Sequence, residues 1–171
     1  MKYNKILIVG GIGSGKTTLA RKLTKILNIK NYELDNIAYK RRDVYEKYKP
    51  KERDKKLKSV LKRKKWIMEG FYDRSWVYTA YKKADIVVIL NIKLSISKRR
   101  VITRFLKRKL SFKKSKKINK KFKLMLQLLR HIDKYPGKYF KKQREIVKKF
   151  KKEHVILKSN KEIKEFIKII K

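Results

Sequence analysis

Residues 10 to 17 read Gly10-Gly11-Ile12-Gly13-Ser14-Gly15-Lys16-Thr17, which satisfies the pattern G-x-x-x-x-G-K-[ST]. Each residue type there has a chemical use. Glycines let the backbone wrap closely around a phosphate and aim successive N–H groups inward. A helix opening near Gly15 adds the positive end of its dipole. Lys16 can reach the β- and γ-phosphates of a nucleotide, Thr17 can place its hydroxyl on Mg²⁺, and Thr18 completes the segment set against the phosphates. The chemistry these residues point to is binding of ATP with Mg²⁺.

Such a loop works only between a buried strand and a helix, and the flanking sequence supplies both. Lys5-Ile-Leu-Ile-Val9 is a short apolar run bounded by glycine, as expected of a strand buried on both faces of a parallel sheet. Beyond the loop, Leu19, Leu23, Ile26 and Leu27 recur at helical spacing. Four more runs read as strands: Asn31 to Leu34, ending on Asp35; Trp66 to Glu69; Asp85 to Leu90; and His154 to Leu157.

Between them the spacing predicts helices. Pro50 opens one with Leu57, Val60 and Leu61 facing inward. A short one lies around Trp76 to Tyr81. A long one carries Ile96, Val101, Ile102, Phe105 and Leu106 on one side, and two more run from Phe122 to Lys134 and from Phe140 to Phe150. Ser159 with Glu162 forms a capping box for a terminal helix buried through Ile163, Phe166, Ile167 and Ile170. Lys107 to Lys121 has little apolar content and reads as an exposed segment. Strands alternating with helices predict an α/β domain with a parallel sheet covered on both faces. A length of 171 residues fits one domain over 1–171.

Lys and Arg number 54 against 14 Asp and Glu, a formal net charge of +40. Such a chain attracts any polyanion, nucleic acid included, with strong salt dependence. The lysines are spread over almost every segment, which favours a whole-chain bias in composition over a designed patch. There is no cysteine, so disulfides and thiolate metal sites are excluded, and a cytoplasmic location is the expectation. The first apolar run is too short to cross a membrane, so no membrane partner is expected. His131 and His154 lack the spacing of a metal pair and read as structural.

Five stretches together resemble the adenylate-kinase-like P-loop proteins, and most closely the group labelled DNA topology modulation proteins. They are the loop itself, Leu34-Asp35, Trp66-Ile-Met-Glu-Gly-Phe-Tyr72, Ala84-Asp-Ile-Val-Val-Ile-Leu90 and Val155-Ile-Leu-Lys-Ser159. The resemblance implies a three-layer P-loop NTPase fold with a five-stranded parallel sheet, an acceptor site beside the ATP site, and a lid at about residues 107–121. It also implies that Glu69 takes the carboxylate position that orients Mg²⁺ through water. Arg100 and Arg104, on the helix entering the lid, look like the arginines that stack on adenine and touch the ATP phosphates. Lys141 and Arg144 lie beyond the lid, and Arg74 falls near the acceptor-site arginine. Ser159 and Asn160 sit where related kinases set loop backbone against the adenine ring.

Nucleoside, shikimate and gluconate kinases resemble this chain in carrying an acid at the position of Asp35. There it can orient, or take a proton from, an attacking hydroxyl; the alternative is that Asp35 caps the next helix. Two functions follow. The first is a small-molecule kinase, of a nucleotide or nucleoside, with Lys16, Asp35 and Arg104 in catalytic positions. Asp35 suits a hydroxyl acceptor, whereas Arg41, Arg42 and Arg74 suit an acceptor phosphate. The second is a nucleic-acid-associated ATP-binding protein that affects DNA topology.

Overall fold

The structure is a computed structural model that describes residues 3–41, 46–110 and 118–170. Five strands form the central sheet: β1 (Lys5–Gly10), β2 (Asn31–Glu33), β5 (Trp66–Gly70), β6 (Ile86–Leu90) and β7 (His154–Leu157). Their order is β2-β5-β1-β6-β7, and every neighbouring pair is parallel. The chain leaves β1 for one side of the sheet and later crosses to the other. The carboxyl end of β1 therefore sits at the switch point where open α/β sheets bind ligands.

Alternation along β1 decides what each face buries. Ile6 and Ile8 point to one side, where Leu19, Leu23 and Leu27 of α1 (Lys16–Leu27) meet Phe166 and Ile170 of α8 (Asn160–Ile170). Leu7 and Val9 point to the other, against Leu34 and Ile37 of α2 (Leu34–Ala38) and Leu57 and Leu61 of α3 (Pro50–Leu61). Tyr81 of α4 (Tyr78–Lys83) and Ile146 and Val147 of α7 (Phe140–Lys149) complete that layer. Each such aliphatic side chain contributes about 1.5–3 kcal/mol when fully buried, so both layers hold the sheet firmly.

Three sequence expectations need correction. The second strand stops at Glu33, and Leu34 and Asp35 open α2 instead. Leu34 is buried at the sheet's edge against Gly70, which turns the chain out of the strand. Residues 75–77 form a 3-10 turn ahead of α4 where the sequence predicts one short helix. The long helix α5 (Leu94–Leu110) buries Val101 but leaves Ile102 and Leu106 at 39% and 49% exposure. Its far half packs against α6 (Ile118–Asp133) rather than the sheet, with Phe105 and Phe122 ring centroids 6.0 Å apart. The expected lid is therefore helical at both flanks, and its centre, residues 111–117, lies outside the described residues. The sequence also missed a two-stranded hairpin of β3 (Tyr39–Arg41) and β4 (Glu46–Lys47), whose short polar strands carry no apolar alternation.

Candidate functional site

Gly10 ends β1, and the loop that follows is shaped by two glycines in the left-handed region. Gly13 has φ of 75° and Gly15 has φ of 100°. A side chain at Gly13 would also lie 2.5 Å from the Ser97 carbonyl oxygen, so the loop closes against the start of α5 only as glycine. Gly15 is the N-cap of α1 and offers no side-chain cap. The N–H groups of Lys16, Thr17 and Thr18 have no partner within the helix, and the first rung runs from Leu19 N–H to the Gly15 carbonyl at 2.9 Å. Ile12 is half-buried and Thr18 exposed. Ser14 is 2% exposed, and its Oγ has no hydrogen-bond partner. Open N–H groups at a helix start, two left-handed glycines and a buried hydroxyl without a partner fit a phosphate chain.

Lys16 Nζ donates to the Gly11 carbonyl oxygen at 2.9 Å. Burial pushes its pKa below the ordinary lysine value, while Glu69 and Asp35 pull it back up and Arg104 adds to the lowering. Lys16, Asp35, Glu69 and Arg104 therefore share one electrostatic neighbourhood. Thr17 Oγ1 donates to Glu69 Oε1 at 2.7 Å. Glu69 is only 5% exposed at the carboxyl end of β5. Burial raises its pKa above the usual carboxylate value, against the lowering by Thr17 and Lys16, and Glu33 and Asp35 add further upward pressure. A divalent cation suits this arrangement. The Thr17 oxygen can ligate it through a lone pair while its hydroxyl keeps its proton and donates to Glu69, and the cation would offset the crowded carboxylates.

Asp35 stands on the second residue of α2, and Glu33 occupies the N-cap position, without a side-chain cap. Asp35 thus stands inside the helix and not at its N-cap position. Its Oδ1 accepts the Tyr72 hydroxyl proton at 2.9 Å. The Tyr72 ring meets Trp76 edge-on at 5.0 Å, and the Arg53 guanidinium lies over Trp76 at 4.8 Å. Arg53 also pairs with Asp54 at 2.7 Å. Sequence reasoning gave Tyr72, Trp76 and Arg53 no role. Their only sequence signal was an aromatic pair four residues apart directly after the strand that carries Glu69.

Arg100 reaches the loop from α5. Its Nη1 donates to the carbonyls of Ser14 at 2.8 Å and Gly13 at 3.2 Å, and its Nη2 donates to Asn160 Oδ1 at 2.8 Å. The edge of the guanidinium thus ties α5, the loop and the start of α8 together. Burial, and then the neighbouring Arg99, push its pKa below the ordinary arginine value. Arg104 stands one turn further along α5, exposed, where Arg99, Arg100, Thr103, Arg104 and Lys107 line an open groove of about 620 Å³. The Ser159 hydroxyl accepts from Glu162 N–H at 3.1 Å and donates to Glu162 Oε1 at 3.0 Å, the expected capping pair.

Arg74 is exposed at the head of the 3-10 turn, Lys141 is exposed on α7, and Arg144 lies over Phe140 at 5.9 Å. Arg42 and the side chain of Arg41 lie outside the described residues. Exposed lysines occur on α1, α3, α4, α7 and α8, so among the described residues the positive charge covers both faces of the sheet. No helix of the described residues is long and apolar enough to cross a membrane.

No protein-family model matches this chain, and no curated protein matches it. Solved structures do. The shikimate kinase from Acinetobacter baumannii, solved in complex with shikimate, matches with a TM-score of 0.55 at 17% identity, over 96% of this chain and 91% of that one. The shikimate kinase from Bacteroides thetaiotaomicron matches with a TM-score of 0.56 at 15% identity, over 98% of this chain and 96% of that one. At such identity the likeness is one of fold: the chain has the α/β fold of P-loop kinases, a five-stranded parallel sheet between two layers of helices.

Proposed function

We propose that this chain is an ATP-dependent small-molecule kinase that moves the γ-phosphoryl group to a hydroxyl, with a nucleoside or a small hydroxy acid as acceptor. The observation that carries this reading is Asp35, a half-buried carboxylate at the carboxyl edge of the sheet, in the electrostatic neighbourhood of Lys16 and bonded to Tyr72. A nucleotide kinase needs no such group, because a phosphate oxygen is already a nucleophile. A hydroxyl acceptor gains from a nearby carboxylate that orients it and takes its proton.

In this reading the acceptor oxygen attacks the γ-phosphorus, and the bond to the β–γ bridging oxygen breaks. ADP leaves, and the hydroxyl proton passes to Asp35 and then to water. Lys16 leaves the Gly11 carbonyl to stabilise charge on the phosphates, and Arg104 adds a second cation from the lid helix. Thr17 and Glu69 would hold Mg²⁺, which when bound neutralises phosphate charge. Arg100, held edge-on by three acceptors, keeps its guanidinium plane fixed for stacking on the adenine ring.

The test is ADP release from Mg·ATP across nucleosides, nucleoside monophosphates and hydroxy acids, in salt high enough to suppress non-specific polyanion binding. One hydroxyl acceptor should raise the rate well above that with ATP alone, and Lys16→Ala should abolish the increase. Stimulation by a nucleoside monophosphate alone would overturn the hydroxyl reading. Stimulation by DNA alone would replace it with the nucleic-acid-associated one.

A further inference from the structure

The pattern G-x-x-x-x-G-K-[ST] requires glycine at Gly10 and Gly15 and leaves position 11 open. This chain nevertheless has glycine there, and Gly11 is not among the residues with positive φ. The reason lies far along the sequence. A side chain on Gly11 would stand 2.9 Å from Cγ of Tyr135, 3.1 Å from Cδ2 and 3.2 Å from Cδ1. Those three distances place it over one end of the ring, which lies against the loop backbone. Tyr135 is 3% exposed, and its hydroxyl shares a proton between the Leu90 carbonyl at 3.2 Å and Gln143 Oε1 at 3.0 Å. Gln143 is itself 1% exposed on α7. Tyr135 also meets Phe71, just past Gly70, with ring centroids 5.9 Å apart.

Tyr135 opens a π-turn (Tyr135–Tyr139) that joins α6 to α7. Single π-turns recur at functional sites because they re-aim side chains that a regular helix would send elsewhere. One buried ring thus touches the phosphate-binding loop and the end of β6, and stands beside the chain leaving β5. The residue it supports, Gly11, is the one whose carbonyl holds the Lys16 ammonium.

We propose that Tyr135 is a positioning residue for the phosphate-binding loop: its ring is the surface on which Gly11 rests, and through Gly11 it sets the carbonyl that holds Lys16. The pair is complementary, since a larger residue at position 11 needs a smaller one at position 135. The inference rests on the nucleotide-binding half of the proposed function and goes beyond it.

A double-mutant cycle with two readouts tests it: Gly11→Ala, Tyr135→Ala and the double variant, each measured for thermal unfolding without nucleotide and for Mg·ATP affinity by calorimetry. Gly11→Ala should raise the Kd about tenfold or more, the effect of forcing one methyl into a packed contact next to the ligand. In the double variant the added methyl has room, because alanine lacks the Cγ and Cδ atoms it would meet, and the Kd should return to within about threefold of Tyr135→Ala alone. Tyr135→Phe keeps the ring and should bind Mg·ATP as the wild type does, while unfolding at a lower temperature. Coupling in unfolding temperature but strictly additive changes in Kd would overturn the proposal and leave a packing contact only. If the wild-type chain binds no Mg·ATP, the nucleotide-binding reading itself fails, and this inference falls with it. Binding by the wild type with additive variants overturns this inference alone.

Discussion

The two halves of the candidate site are built in opposite ways. On the nucleotide side, residues 10 to 18 are contiguous, and backbone does most of the work: two left-handed glycines, open N–H groups and a helix start. On the proposed acceptor side, Asp35, Arg53 and the Tyr72–Trp76 pair come from three separate segments and meet through side chains. Backbone geometry of the first kind tolerates few sequences and serves one ligand class. A side-chain cluster of the second kind can be re-specified one residue at a time without disturbing the sheet. For the proposed kinase, this contrast assigns phosphate binding to the loop and the choice of acceptor to the side-chain cluster.

The sharpest test of that division sets Lys16→Ala against Asp35→Asn. Loss of Lys16 removes a cation from the transferred phosphoryl group, so turnover should fall by on the order of 10³-fold, with weaker Mg·ATP binding as well. Asp35→Asn should lower kcat by roughly 10²–10⁴-fold, the range for a positioned general base, and leave the Mg·ATP Kd unchanged. Steady-state kinetics with calorimetry separates the two. An Asp35→Asn variant that binds Mg·ATP poorly would show that the halves are not independent.

Glu69 stands between the halves, bonded to Thr17 on one side and within the field of Asp35 on the other. Its pKa is raised in the fold, chiefly by burial. A carboxyl raised in this way costs no stability below its unfolded pKa. The cost grows as pH rises and is full above the folded value. Glu69→Gln removes that ionisation. The variant should therefore unfold at a higher temperature than the wild type without metal or nucleotide, and the gap should widen as pH is raised through the window. The same variant should need roughly 10–100-fold more Mg²⁺ for half-maximal turnover. Thermal scans across pH and a Mg²⁺ titration check both parts. A gap that narrows as pH rises would mean Glu69 is stabilised, not strained, as a carboxylate.

How much of this was legible in the sequence follows from the same division. The loop, the five strands and the order of helices could be read because each depends on local spacing: Lys5-Ile-Leu-Ile-Val9 announces a buried strand, and Gly15-Lys16-Thr17 a helix start. Glu69 and Asp35 stood out as acids at strand ends in an acid-poor chain. What the sequence could not give was pairing at a distance. Tyr72 bonding to Asp35, Arg53 over Trp76 and Tyr135 beneath Gly11 depend on where helices land once packed. Arg100 could be singled out on its helix face, but not its edge-on hold on the loop carbonyls, because a spacing of four places a side chain on a face and not against an atom. The exposure of Ile102 and Leu106 escaped for the same reason: periodicity marks an apolar face without naming what covers it.

The smallest expected effect probes the acceptor half from within. Tyr72→Phe removes one hydroxyl that donates to Asp35 Oδ1 at 2.9 Å and keeps the ring that meets Trp76 at 5.0 Å. The aromatic stack therefore survives, and unfolding temperature should change little. What is lost is a hydrogen bond to a carboxylate, of a kind worth about 1.5–3 kcal/mol. Part of that loss is recovered when water takes the hydroxyl's place, so the expected fall in kcat is about tenfold, less than for Asp35→Asn. Mg·ATP affinity should stay at the wild-type value, because the hydrogen bond that this variant deletes runs to Asp35 and not to the phosphate-binding loop. If Tyr72 instead gripped the acceptor itself, the acceptor KM would rise while kcat held. The split between kcat and KM in this one variant thus decides whether the tyrosine orients the base or reads the substrate.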